Sequence, residues 1–347
     1  MKTGKQRMTE PEATVGAPET WPDDWTAIDW TVIYRKVNRL QMRIAKAVRE
    51  ERWGKVKSLQ RILTRSMAAK LWATRRVVTN RGRNTPGVDG VLWKTPEQKI
   101  QGAKSLQRRG YRPQPLRRIY IPKKSGNKKR PLSIPTMKDR AMQALYWLAL
   151  VPVAETLADP CSLGFRPGRC IADAHVRCYG ILSRRSGPEW IFDADIESCF
   201  DTISHDWLLA NIPMDKAILQ AWLKAGYLED RGFHYTREGT PQGGIISPTL
   251  ANMTLDGLEA VAQGAVPERT RQGRSKVHVI RYCDDFVVTA RSREDLVDKV
   301  IPAIEAFLAE RGLRLSTEKS RVTHISAGFN FLGANVRKYN GKLWRSP

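Results

Sequence analysis

The sequence predicts an α+β protein in which an antiparallel sheet is backed by helices and preceded by a basic helical N-terminal region. Three observations predict it. A helical apolar period runs from residue 30 to about 78, apolar residues alternate in two hairpin-like stretches (117–134 and 277–290), and the second half reads strand, loop and helix, hairpin, helix.

Residues 1–29 read as a flexible segment, polar and carrying Gly, Pro and Glu through about residue 24. Residues 30–92 form the basic helical extension. Ile33, Val37, Leu40 and Ile44 make one apolar stripe, and Val56, Leu59, Ile62 and Leu63 the next, with Arg and Lys opposite. "NRGRNTPGVDG" (80–90) interrupts the period with three glycines and a proline, which marks a functional loop or a subdomain boundary. Beyond it, Ile119 and Ile121 in one arm and Leu132 and Ile134 in the other flank Ser125, Gly126 and Asn127, a hairpin pattern. Between Arg117 and Arg130 this hairpin holds seven basic residues and no acidic one, so it is either a solvated basic surface or an arm that grips phosphates.

"EWIFDADIESCF" (189–200) contains a strand over 190–196. "GTPQGGIISPTLANM" (239–253) is a glycine-rich loop entering a helix capped by Ser247, with Pro248 in the first turn. A basic linker with Arg269, Arg271, Arg274 and Lys276 leads into the second hairpin. A Ser292–Asp295 capping box then starts a helix toward Gly312, with Val297, Val300, Ile301, Ile304 and Phe307 available to the core. Pro302 inside it predicts a kink or a split.

The 347 residues suffice for two or three subdomains around a sizeable core. Against 35 Asp and Glu stand 59 Lys and Arg, a formal charge of +24, so the natural partner is a polyanion. Nucleic acid leads and an anionic membrane surface follows, with no stretch as long as a spanning helix. The five cysteines show neither a C-x-x-C pair nor zinc spacing, which fits a reducing, intracellular setting. The N-terminus has no apolar signal core.

"RYCDDFVV" (281–288) sets Asp284 and Asp285 side by side in an apolar hairpin. Two carboxylates about 4 Å apart repel by roughly 4 kcal/mol at an effective dielectric of about 20. Either the pair points into water, where the repulsion is screened, or a divalent cation sits there with a third carboxylate from elsewhere. "FDADIESCFD" (192–201) supplies that candidate, since strand alternation puts Asp193 and Asp195 on one face. The other reading of that pair is two ordinary exposed aspartates.

A strand ending in D-x-x-x-x-F, a G-T-P-Q-G-G loop before a helix and a Y-x-D-D hairpin, in that order, resemble the palm motifs of reverse transcriptases. "TPGVDG", "RPLSIPT", "SLGFRPGR", "FDTISH", "RGLRLSTEKS" and "FNFLG" narrow the resemblance to the bacterial group II intron-encoded reverse transcriptase/maturase branch, over about residues 30–335. The resemblance implies a right-hand polymerase with fingers over 93–186 and a palm over 187–337. The start of a thumb would fall at 338–347, and the thumb itself is expected to be missing.

By resemblance, Asp195, Asp284 and Asp285 are the catalytic and metal-holding residues, joined by the carbonyl of Ile196. The cofactor is two Mg2+ ions, with Mn2+ as the alternative. The implied reaction is transfer of a deoxynucleotide to a primer 3′-hydroxyl on an RNA template. Lys123, Arg130, Phe200, Gln242 and Gly243 are implied at the nucleotide, Phe200 as the residue that blocks a 2′-hydroxyl. Phe331, Leu332 and Gly333, with Arg166 and Arg169, are implied at primer and template, and Lys319 is a candidate general acid. His205 is read as a packing or hydrogen-bonding residue. Cys283 departs from the small alanine usual before the aspartates.

The implied partners are an RNA template, intron RNA first, a DNA or RNA primer, and deoxynucleoside triphosphates, with no membrane. A partner or second chain is a candidate to replace the thumb. The implied setting is a ribonucleoprotein in a bacterial cytoplasm. The alternatives are an RNA-binding splicing cofactor or remnant without polymerase activity, and a domesticated defence reverse transcriptase.

Overall fold

The computed structural model describes residues 20–122, 129–230, 232–240, 243–270, 273–274 and 276–346. The expected turn at Ser125, Gly126 and Asn127, and Arg271 of the basic linker, lie outside the described residues.

The helical N-terminal region is three helices, α1 (Trp30–Arg49), α2 (Trp53–Arg65) and α3 (Met67–Thr79). Asp29 caps α1 by accepting the Thr31 and Val32 N–H groups at 2.8 and 3.2 Å. Ile33, Val37 and Ile44 are buried as the stripe predicts. Ile62 is not, because Val56, Leu59 and Leu63 already complete the inward face of α2. A short α4 (Pro96–Lys104) carries a Thr95/Gln98 capping box.

Two strands follow, β1 (Leu116–Pro122) and β2 (Lys129–Ile134), antiparallel with Ile119 opposite Leu132 and Ile121 opposite Arg130. They lead into α5 (Met137–Leu157), which is buried on nearly every side and serves as the central post on which α1, α2 and α3 pack. Its buried Arg140 donates to the carbonyls of Gly82, Thr85 and Pro135, stitching the 80–90 loop to the post.

The second half runs α6 (Ile171–Leu182), β3 (Trp190–Ala194), α7 (Cys199–Thr202), α8 (His205–Asn211), α9 (Lys216–Leu223), β4 (Tyr227–Glu229), β5 (Gly232–His234), α10 (Ser247–Leu255) and α11 (Leu258–Gly264). It continues with β6 (Arg269–Thr270), β7 (Gly273–Arg274), β8 (His278–Tyr282), β9 (Asp285–Ala290), a π-helical turn (Asp295–Val300) and α12 (Ile301–Ala309). The small strands β10 (Arg321–His324), β11 (Phe329–Phe331), β12 (Ala334–Tyr339) and β13 (Lys342–Ser346) close the chain.

The main sheet has the order β10-β3-β9-β8 and is antiparallel throughout. Helices on one face do not complete it. Phe192, Phe286 and Val288 join the large helical core, whereas Ile191, Ile280 and Val287 point the other way, under α6 and the β11–β12 hairpin. The unbroken apolar runs of β8 and β9 require that second cover. A separate sheet, β2-β1-β4-β5, takes its last two strands from 227–234, with β4 parallel to β1. The segment expected to belong to the palm therefore contributes a hairpin to the fingers-side sheet.

Three local expectations change. The strand expected over 190–196 ends at Ala194, because the Asp195 carbonyl accepts the Ser316 N–H at 2.8 Å and Ile196 bridges Leu315. Ser247 is the first helical residue of α10 and Ile246 its cap position, with Pro248 in the first turn. The helix containing Pro302 splits as expected, a π turn handing over to α12 one residue before the proline, whose missing N–H costs nothing in a first turn. Ser292 Oγ accepts the Asp295 N–H at 3.2 Å.

Arg281 of β8 ties these parts together. Its side chain has no exposed surface and donates to Asn252 Oδ1 (3.2 Å) and Asp256 Oδ1 (2.8 Å). Its backbone N–H donates to the Cys161 carbonyl at 3.0 Å, and its carbonyl accepts the Leu163 N–H at 2.9 Å. Among the described residues no helix is long and apolar enough to cross a membrane. Replacing Arg281 by Met strands the Asp256 carboxylate in the interior, and unfolding in urea is expected to show a loss of about 3–5 kcal/mol, part of which Asp256→Asn on the same chain restores.

Candidate active site

The β8–β9 hairpin closes with Tyr282 opposite Asp285, leaving Cys283 and Asp284 as a two-residue loop. Cys283 has φ 62°, a left-handed conformation that the first position of such a turn normally assigns to glycine. Its surroundings enforce it. Cys283 is buried against Gly164, where an added Cβ would lie 2.5 Å from the Cys283 nitrogen. Asn252 Nδ2 donates to the Gly164 carbonyl at 2.7 Å and holds that close approach in place. Burial, and then Asp284, push the Cys283 thiol well above its usual range, so it packs as a neutral group.

Ala194 pairs with Phe286, so the next residue on each strand places Asp195 opposite Asp285. The two share a hydrogen bond, and burial, the Asp284 charge and the Asp195 charge together push the Asp285 carboxyl up to about 7. Burial likewise raises Asp284. The countercharge present is Lys319, whose ammonium bonds Asp195 Oδ2, and that bond raises the lysine above its ordinary value. Asp193 shares the sheet face but is set apart: it sits 3.6 Å from Arg321 Nε, and burial pushes it up to about 6.

Around this centre, the Thr240 N–H donates to the Phe200 carbonyl at 2.6 Å and the Gly239 N–H to Ile203 at 2.7 Å. The glycine-rich loop is thereby fastened to α7, and Gln143 of α5 holds its far end by accepting the Ile245 N–H at 2.8 Å. His205 Nε2 lies 2.9 Å from the Gly239 carbonyl, the hydrogen-bonding role read for it. Gly243 (φ 109°) presses on β2, where a Cβ would lie 2.7 Å from the Ser133 oxygen. Arg130 is exposed at the end of β2. Lys123 and Gln242 lie outside the described residues.

Phe200 is half-buried and meets Phe165 edge-on, ring centroids 6.4 Å apart. Phe165 is 56% exposed at φ 56°, a residue that sequence reasoning passed over although its "GFRPGR" context was noted. Arg166 is committed to Glu155 (2.8 Å) and to the carbonyls of Asp159 and Ser162, while Arg169 is exposed. Phe331 is buried in the second core, and Leu332 and Gly333 (φ 51° and 81°) form the two-residue turn from β11 to β12.

Residues 121–336 match the family profile described as reverse transcriptase (RNA-dependent DNA polymerase), and residues 25–106 that of the N-terminal domain of reverse transcriptase. The chain belongs to the reverse transcriptase family. It is 29% identical over 337 residues to the group II intron-encoded protein LtrA of Lactococcus lactis subsp. cremoris, covering 79% of this chain and 56% of that protein. It is 30% identical over 300 residues to the protein YkfC of Escherichia coli K12, covering 75% of this chain and 78% of YkfC. The chain thus spans little more than half the length of LtrA. Among solved structures it is similar to a telomerase from Candida albicans, with TM-score 0.47, 14% identity, and coverage of 68% of this chain and 46% of that one.

Membership of the reverse transcriptase family implies dependence on a divalent metal. Among the described residues no three Asp, Glu, His or Cys side chains are closed into a metal-holding geometry. The donor chemistry nonetheless fits a hard cation. Asp195, Asp284 and Asp285 offer oxygen only, from two adjacent strands, with burial and mutual repulsion that a cation relieves. In this reverse transcriptase chain the raised Asp285 has a linked consequence. A carboxyl raised in the folded state contributes stability that is present below its unfolded value near 3.8 and lost as pH rises through about 7. In EDTA, the melting temperature of Asp285→Asn relative to wild type is therefore expected to climb between about pH 4 and pH 7 and to level off above. Magnesium should flatten that difference by stabilising the ionised wild type.

Proposed function

We infer that this chain is an RNA-directed DNA polymerase of the group II intron type, serving intron mobility. The observation that carries the reading is the strand register that sets Asp195 opposite Asp285, beside Asp284, in a chain of this family. In the reaction, a primer 3′-hydroxyl attacks the α-phosphate of a deoxynucleoside triphosphate in line and pyrophosphate leaves. Asp195, Asp284 and Asp285, with the Ile196 carbonyl, would hold two Mg2+ ions, or Mn2+. Bound there, such ions supply Lewis-acid stabilisation of the transferring phosphoryl group and a more acidic attacking hydroxyl.

The chain's own residues do the positioning. Lys319, fully charged at neutral pH through its bond to Asp195, is placed to give a proton to the departing pyrophosphate. Arg130 and Lys123 take the triphosphate, and Gln242 and Gly243 border the incoming nucleotide. Phe200, braced by Phe165, excludes a 2′-hydroxyl. Phe331, Leu332 and Gly333 support the primer end. Arg169 meets the template backbone, and Arg166 shapes the turn that carries it through its bond to Ser162. In this reading 93–186 are fingers and 187–337 palm, the template is an RNA with intron RNA first, the primer is DNA or RNA, and the setting is a ribonucleoprotein.

Primer extension on an RNA template with deoxynucleotides and magnesium tests the reading. Wild type is expected to extend and Asp284→Ala to lose about a thousandfold in rate, the worth of several kcal/mol of charge stabilisation. Equal extension by both would sink it. In the same assay Phe200→Val is expected to raise ribonucleotide use relative to deoxynucleotide by about tenfold or more, read as a change in the ratio of the two kcat/KM values.

A further inference from the structure

Away from the aspartates, a cavity of about 910 Å3 opens between α2, α5, the 106–109 segment and the 213–216 turn. Met142, Leu145, Tyr146 and Ala149, from successive turns of α5, make an apolar floor. Its rim is cationic. Lys57, Arg61 and Arg65 recur every fourth residue along α2, and Lys70 and Arg109 join them. None of these five forms an ion pair among the described residues. Like charges four apart destabilise a helix, and nothing in the protein offsets these.

Asp215, the only carboxylate among the described lining residues, is already engaged. It pairs with Arg108 and caps α9 by accepting the Ile218 N–H at 3.3 Å. The walls are built rather than loosely apposed, because the buried Gln60 side chain donates to the carbonyls of Ala149 (3.2 Å) and Pro213 (2.9 Å), joining all three elements. Lys70 is partly desolvated, its ammonium pulled below the usual value by burial, which raises its gain from an anion.

A cavity of this size holds a small molecule, and an apolar floor under an anion-binding rim suits one chemistry in particular: a flat base joined to phosphate. We propose that this cavity is a second nucleotide site, separate from the polymerase centre, taking a base against the α5 floor and phosphate on the α2 rim. The nucleotide comes either free or as an unstacked residue of an RNA strand. The site does not depend on the polymerase reading, since none of its lining residues belongs to the aspartate centre.

The test is fluorescence anisotropy of a short labelled single-stranded oligoribonucleotide in EDTA, at fixed salt, which needs no catalysis. Lys57→Ala with Arg61→Ala is expected to weaken binding about tenfold, while Arg291→Ala with Arg293→Ala, the same charge removed elsewhere, changes it less than about twofold. Thr64→Phe, which fills the cavity and leaves every charge in place, is expected to weaken binding by about tenfold as well. Displacement of the probe by ADP identifies a free nucleotide as an occupant, and failure of ADP alongside sensitivity to Thr64→Phe identifies a residue of the strand. If Thr64→Phe binds like wild type, or if an abasic oligonucleotide competes as well as one with bases, the cavity takes no base and the proposal falls. Unchanged melting temperatures for each variant keep loss of fold from imitating loss of the site.

Discussion

The guanidinium of Arg281 is the fixed point from which the centre of this molecule is built. A charge with no exposed surface is tolerable only where its donors find acceptors, and Asn252 and Asp256 supply them from α10 and the residue just past its end. The same residue's backbone bonds Cys161 and Leu163, and the chain turning past Leu163 brings Gly164 under the Cys283 backbone. One buried cation thereby locks a hairpin, a helix and a loop from three parts of the sequence. The strained turn at Cys283 persists because these contacts over-determine it.

On that foundation the protein can hold three carboxylates where isolated ones would splay apart. The sheet register supplies Asp195 opposite Asp285, and the turn supplies Asp284. Their repulsion is partly absorbed by protons, as the raised Asp285 and Asp284 show, and partly by the Lys319 ammonium. A site poised in this way gains stability from any hard cation that replaces those protons, which is how a polymerase centre couples metal binding to the ionised state it needs. Asp193, one pleat away, is held by Arg321 and stays outside the cluster.

The basic excess of the chain is not spread evenly over a featureless surface. Part is spent on buried structural work, as in Arg140 and Arg281, and part stands unpaired around the cavity at α2. Charges of the first kind specify the fold, whereas those of the second kind are available to a polyanion.

Much of this was legible in the residues. Helical periodicity located the N-terminal helices, alternation located both hairpins, and the spacing of Asp195, Phe200, Gln242 and the Asp284–Asp285 pair pointed to a polymerase, because period and motif are local properties of a chain. Local pattern could not show that β3 stops at Ala194, since a bond from Ser316, far along the chain, ends it. Nor could it show that 227–234 joins the sheet of β1 and β2, or that Ile62 faces water while its neighbours do not. The sequence by itself determined which residue types were available for metal, nucleotide and phosphate. Only the tertiary structure decided which of them meet, because proximity across strands, the burial that shifts a carboxyl and the unpaired state of a surface cation are properties of packing between distant segments.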